Sequence, residues 1–98
     1  MKAKRSEATM ANTRAEVYEA LDGEREYQES RWNEDTTESD GKHVVAEWVL
    51  YMEHYLGLAR TVLSTKPEPE ATQEALHIVR KIAALGVACM EQNGAPKR

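Results

Sequence analysis

The residue types in this chain that could do chemistry are gathered in three strings. They are Glu24-Arg25-Glu26-Tyr27-Gln28 followed by Trp32, then His43-Val44-Val45-Ala46-Glu47, then Arg80-Lys81 ahead of Ile82-Ala83-Ala84-Leu85. On a helix, Glu24 and Gln28 stand one turn apart on the stripe that also holds Leu21 and Trp32. A carboxylate and an amide on an apolar stripe need partners, which implies an internal network, an intersubunit contact or a ligand. Glu47, Tyr51 and His54 follow one another at intervals of four and three residues, so a helix can point all of them into one cleft. Arg80 and Lys81 point about 100° apart, so at most one faces a shared cleft while the other meets solvent. In a cleft, arginine would grip two phosphate oxygens and lysine would add a point charge; outside it the pair is a solvated surface.

Other chemistries have weaker footing. His43 and His54 are eleven residues apart, about three turns, so helical spacing alone does not bring them to one metal, and each reads as a surface or boundary residue. The single cysteine, Cys89, lies between Ala88 and Met90 and reads as a core thiol. The sequence has no Gly-rich phosphate loop, no cysteine pair and no His-Glu-x-x-His string. Ser6, Ser30, Ser39 and Ser64 lack the turn sequence that exposes a nucleophile.

The elements that must position these groups are helical. Val17, Leu21, Gln28 and Trp32 recur on one face and predict a first helix that starts between Ser6 and Asn12 and runs to about Trp32. Residues 33–42 have no apolar side chain and predict an exposed connection. From His43 to about Ser64, Val45, Trp48, Met52, Tyr55, Ala59 and Val62 recur every three or four residues and predict an amphipathic helix. Lys66-Pro67-Glu68-Pro69 interrupts it, because proline lacks the amide hydrogen and disfavours helical geometry before it. A third helix runs from Glu70 to about Asn93, with Ala75, Ile78, Val79, Ile82, Gly86 and Cys89 on its apolar side and Gly94 and Pro96 as stops. Its small residues Ala83, Ala84, Gly86 and Ala88 would admit another helix closely. The expected fold is all-α, a bundle of three main helices in one domain over residues 1–98, with flexible ends at 1–8 and 94–98.

Composition bounds the partners. At 98 residues, 31% of them charged, the chain has a modest core for its surface, and self-association would supplement it. A net charge of −4 spread over both signs argues against a nucleic-acid partner, since Lys2, Lys4 and Arg5 form only a small basic tip. No apolar run reaches membrane-spanning length and no secretory h-region follows Arg5, so a cytoplasmic protein without a membrane partner is expected.

In order and spacing these strings resemble the MazG-like branch of the all-helical nucleoside triphosphate pyrophosphatases. Glu24, Arg25, Gln28 and Trp32 stand for its early Glu-Arg-x-x-Gln segment and tryptophan, His43 for the histidine near its next helix, and Ala83, Ala84 and Val87 for its late Ala-Ala-x-x-Val helix. The likeness spans residues 20–93. It implies a dimer or tetramer that completes a larger helical bundle, and magnesium held by Glu-Glu-x-x-Glu and Glu-x-x-Asp strings. Here the matching places read Glu47-Trp48-Val49-Leu50-Tyr51 and Ile78-Val79-Arg80-Lys81, so only Glu47 survives. Replacing hard oxygen ligands by Trp, Tyr, Ile and Lys removes the basis of that metal chemistry.

The leading expectation is therefore a small oligomeric helical protein that binds a phosphorylated nucleotide without efficient hydrolysis or a cofactor, as a sensor or sequestering agent of the phage type. Tyr27, Trp32, Trp48 or Tyr51 would stack on the base, with Arg25, Arg80 or Lys81 at the phosphate; Glu24, Gln28, Glu47 and His54 complete the candidate set. One alternative is a magnesium-dependent pyrophosphatase that recruits Glu24, Glu47 and Glu53, although Glu53 lies six residues from Glu47 and points to a different side of the helix. The other is a structural or partner-binding bundle whose aromatic and small-residue stripes are intersubunit core.

Overall fold

The computed structural model describes residues 11–35 and 42–98, with the side chains of 33–35 left aside. It is all-α, three helices packed as a bundle: α1 (Arg14–Asp35), α2 (Val45–Thr65) and α3 (Glu70–Asn93). α3 is the central element. Both α1 and α2 pack on it, while no part of the α1 backbone comes close to that of α2 among the described residues. α2 and α3 form an antiparallel hairpin through the short Lys66–Pro69 connection. Together the two flanking helices form the walls of a trough whose floor is α3.

The termini follow from local chemistry. α1 begins later than the hydrophobic spacing suggested, because Thr13 and Glu16 form a capping box. Thr13 Oγ1 accepts the Glu16 N–H at 3.2 Å, and the Glu16 carboxylate accepts the Thr13 N–H at 2.9 Å. These bonds hold the Glu16 carboxyl below its ordinary range, the Thr13 backbone bond contributing most. α1 also continues through Asp35, so the expected connection over 33–42 is helical in its first three residues; 36–41 and the 1–8 tip lie outside the described residues.

Val44 offers α2 no side-chain acceptor, and the Glu47 carboxylate reaches back to the Val44 N–H at 3.1 Å instead. The opposite end of the hairpin is tied by Lys66 Nζ to Glu74 at 2.9 Å. α3 keeps the expected bounds and stops at Gly94, whose φ of 115° only glycine adopts without strain and whose N–H caps the Met90 carbonyl at 2.8 Å.

The core is thin. Trp48 is completely buried against Leu85 and Ala88, with Trp32, Met52, Tyr55 and Cys89 around it. Among the described residues, five of the seven buried apolar side chains are alanines, which bring the helices close but bury little surface each. Val17, Val45 and Val79, expected on core faces, are about half exposed, because the other described helices of this chain cover those positions only in part.

Candidate cleft between the first and second helices

Burial of polar groups fixes α1 more than apolar contact does. Glu24 and Gln28 are 8% and 9% exposed. Arg80 Nε donates to Glu24 Oε1 at 2.8 Å, and Arg80 also donates to His77 Nδ1 at 2.9 Å, which leaves the imidazole proton on Nε2. Gln28 Nε2 donates to the Lys81 carbonyl at 3.3 Å. Reversing that amide would set two acceptors face to face, so Gln28 Oε1 must point the other way, where it is buried without a hydrogen-bond partner among the described residues.

Above this polar seam opens a cleft of about 540 Å³, within the size range of small-ligand sites. α1 supplies Glu24, Tyr27, Gln28, Arg31 and Trp32; α2 and its approach supply His43, Trp48, Tyr51 and Tyr55; α3 supplies Lys81 and Leu85. The aromatic rings form a connected cluster. Trp32 and Trp48 are tilted at 5.5 Å between centroids, and His43 stands edge-on to Trp48 and to Tyr51, each at 5.3 Å.

The position of His43 is set by the end of α3. Gln92 Oε1 accepts the His43 N–H at 2.9 Å and the Trp48 indole N–H at 3.2 Å, and Asn93 Nδ2 donates to the His43 carbonyl at 3.2 Å. The start of α2 is thereby pinned to the end of α3, which holds that end of the cleft in register.

Lys81 lies at the floor with Nζ 5.9 Å from the Tyr55 ring centroid, a cation–π distance. Among the described residues it has no carboxylate partner. Lys81 is thus the member of the Arg80-Lys81 pair that faces the cleft, while Arg80 is taken up by Glu24 and His77.

The sequence-derived candidates divide accordingly. Glu24, Tyr27, Gln28, Trp32, Tyr51 and Lys81 converge on the cleft. Arg25, Glu47, His54 and Arg80 do not line it. Arg25 binds Glu29 and Glu91 and lies over the Trp32 ring at 5.4 Å, so it buttresses the wall from outside. Glu47 is held by the Val44 amide and by His43 Nδ1 at 3.2 Å, a capping duty. His54 is exposed and edge-on to Tyr55 at 5.2 Å. Sequence reasoning missed Arg31, His43, Tyr55 and Leu85, and named Trp48 only as a stacking group; the period-3.6 signal marked Tyr55 as apolar core but could not show that it also borders a cleft.

Among the described residues, no three His, Cys, Asp or Glu side chains gather to hold a metal. The cleft offers planar stacking surfaces, one buried acceptor and two cationic side chains, Arg31 and Lys81. No protein family, no curated protein and no solved structure matches this chain.

Proposed function

We propose that the cleft binds a nucleoside phosphate and holds it without efficient hydrolysis, as expected of a MazG-like bundle that has lost its acidic metal box. The observation that supports this reading is Gln28 Oε1, a buried acceptor that has no partner among the described residues, set among aromatic rings beside the Lys81 ammonium, which has no carboxylate partner among those residues. A buried unpaired acceptor costs about 1–3 kcal/mol, so a ligand N–H that reaches it gains that penalty back on binding. A nucleobase carries both the planar face and the N–H, and its phosphate supplies the anion for Lys81. Trp32 and Tyr51 stack on the base, Gln28 accepts from its edge, and Lys81 meets the phosphate. The role is that of a sensor or a sequestering protein.

The magnesium-dependent alternative lacks comparable support. Glu24 is committed to Arg80 and Glu47 to the start of α2, while Glu53 is exposed and does not line the cleft.

A thermal-shift panel of nucleosides and nucleoside mono-, di- and triphosphates, each with and without magnesium, tests the proposal, because a ligand of the native state raises stability by mass action. The proposal expects a rise with phosphorylated nucleotides that magnesium does not change. A rise that requires magnesium would favour the pyrophosphatase, and no rise with any nucleotide would overturn the reading.

A further inference from the structure

The side of the hairpin turned away from the cleft carries two apolar rows. On α2, Val45, Val49, Met52, Leu56 and Leu63 recur at heptad spacing; on α3, Leu76, Val79, Ala83, Gly86 and Met90 do the same. At about 100° per residue, the α3 row lies roughly 110–130° from both the side that meets α2 and the side that meets α1, so α3 has three faces of which two are covered. The α2 row lies about 130° around the helix from Tyr51, past Trp48 and away from the mouth of the cleft. Met52 Sδ, 4.0 Å from where a side chain on Gly86 would begin, joins the two rows into one surface. Val45, Val49, Leu56, Leu63, Leu76, Val79 and Met90 are each about half exposed or more, far more contiguous apolar surface than a monomer with this alanine core should leave to water.

We propose that this surface is a homodimer interface, a second copy of the chain completing a four-helix core. The charges beside the α2 row identify the occupant. Glu53 and Arg60 flank the row on its outer edge seven residues apart, and among the described residues neither side chain has an ion-pair partner. A two-fold axis through Leu56 sets the two α2 helices antiparallel and brings Glu53 of each copy within one residue's rise of Arg60 of the other, so the patch is complementary to itself. The same axis sets Val49 opposite the partner's Leu63. On α3 it sets Leu76 opposite the partner's Gly86 and Val79 opposite the partner's Ala83, large side chains over small ones. Both clefts remain open on the outer sides, giving two binding sites per dimer. This inference does not rest on the identity of the cleft's ligand.

Sedimentation equilibrium of the full chain at micromolar concentration provides the test. The wild type is expected at twice the chain mass of 11.1 kDa. Leu56→Glu would place two like charges at the axis and raise the dimer dissociation constant about a hundredfold or more, with helicity retained because Leu56 is half exposed in the single chain. Glu53→Arg and Arg60→Glu each weaken the dimer, and the double exchange restores it; a purely local role for either charge predicts no such rescue. A wild type that sediments at 11.1 kDa, or a dimer indifferent to Leu56→Glu, would overturn the proposal.

Discussion

Replacing Gln92 by leucine tests how the cleft's aromatic wall is held. Gln92 Oε1 takes two hydrogen bonds, from the Trp48 indole at 3.2 Å and from the His43 backbone at 2.9 Å. Leucine keeps a cover of similar size over Trp48 but has no acceptor. Trp48 is 0% exposed, so its N–H would stay buried and unpaired, at about 1–3 kcal/mol; losing the His43 bond adds about 1 kcal/mol. We expect a total loss of about 2–4 kcal/mol, a fall in Tm of roughly 8–30 °C for a domain of this size. Urea unfolding followed by far-UV circular dichroism measures it, at fixed protein concentration because self-association shifts apparent stability. In the Gln92→Leu background, Trp48→Phe removes the stranded donor. It should therefore cost less there than in the wild type, giving a coupling energy of about 1 kcal/mol or more between the two positions. Stability within about 0.5 kcal/mol of wild type for Gln92→Leu, or strict additivity of the pair, would refute the pinning argument.

Three further outcomes are expected. Arg80→Leu strands the buried Glu24 carboxylate and should destabilise by about 1–3 kcal/mol, a range that allows for the part-exposed guanidinium, while Glu24→Leu added to it recovers part of the loss in chemical denaturation. Gln28→Met removes a buried acceptor that has no partner along with a single 3.3 Å bond, so stability should stay within about 1 kcal/mol of wild type while nucleotide affinity, measured by tryptophan fluorescence, falls about tenfold. Because the folded carboxyl of Glu16 titrates below its ordinary range, the capping box is intact above the unfolded carboxylate range and is lost as pH falls through the lowered value. The protection factors of the first-turn amides of α1, corrected for intrinsic exchange, should therefore fall on acidification below the ordinary carboxylate range, and Glu16→Gln should flatten that dependence.

The parts of this fold that were legible in the sequence are those set by local chemistry. Pro67 stops α2 and Gly94 stops α3, because one disfavours helical geometry in the residue before it and the other tolerates a positive φ, and neither depends on tertiary context. The start of α1 was misplaced since hydrophobic spacing carries little information in a helix with so few apolar residues; the Thr13-x-x-Glu16 box was the signal that mattered. Glu24 and Gln28 announced themselves as polar groups on a buried stripe, and they are buried. Val45 and Val79 were expected in the core because periodicity reports that a face is apolar, not whether this copy of the chain covers it. Which cation would face the cleft, and that Arg25, Glu47 and His54 would lie outside it, depended on how α1 sits on α3, a long-range arrangement that no local pattern encodes.

The central claim is that Lys81 and the aromatic walls recognise a base joined to a phosphate. The most direct test is calorimetric titration of a nucleoside and its monophosphate into the wild type and into Lys81→Gln, without magnesium. We expect the monophosphate to bind the wild type at least tenfold more tightly than the nucleoside, and Lys81→Gln to abolish that difference while leaving nucleoside affinity unchanged. Equal binding of the two ligands to the wild type, or a preference for phosphate that survives the loss of Lys81, would contradict it.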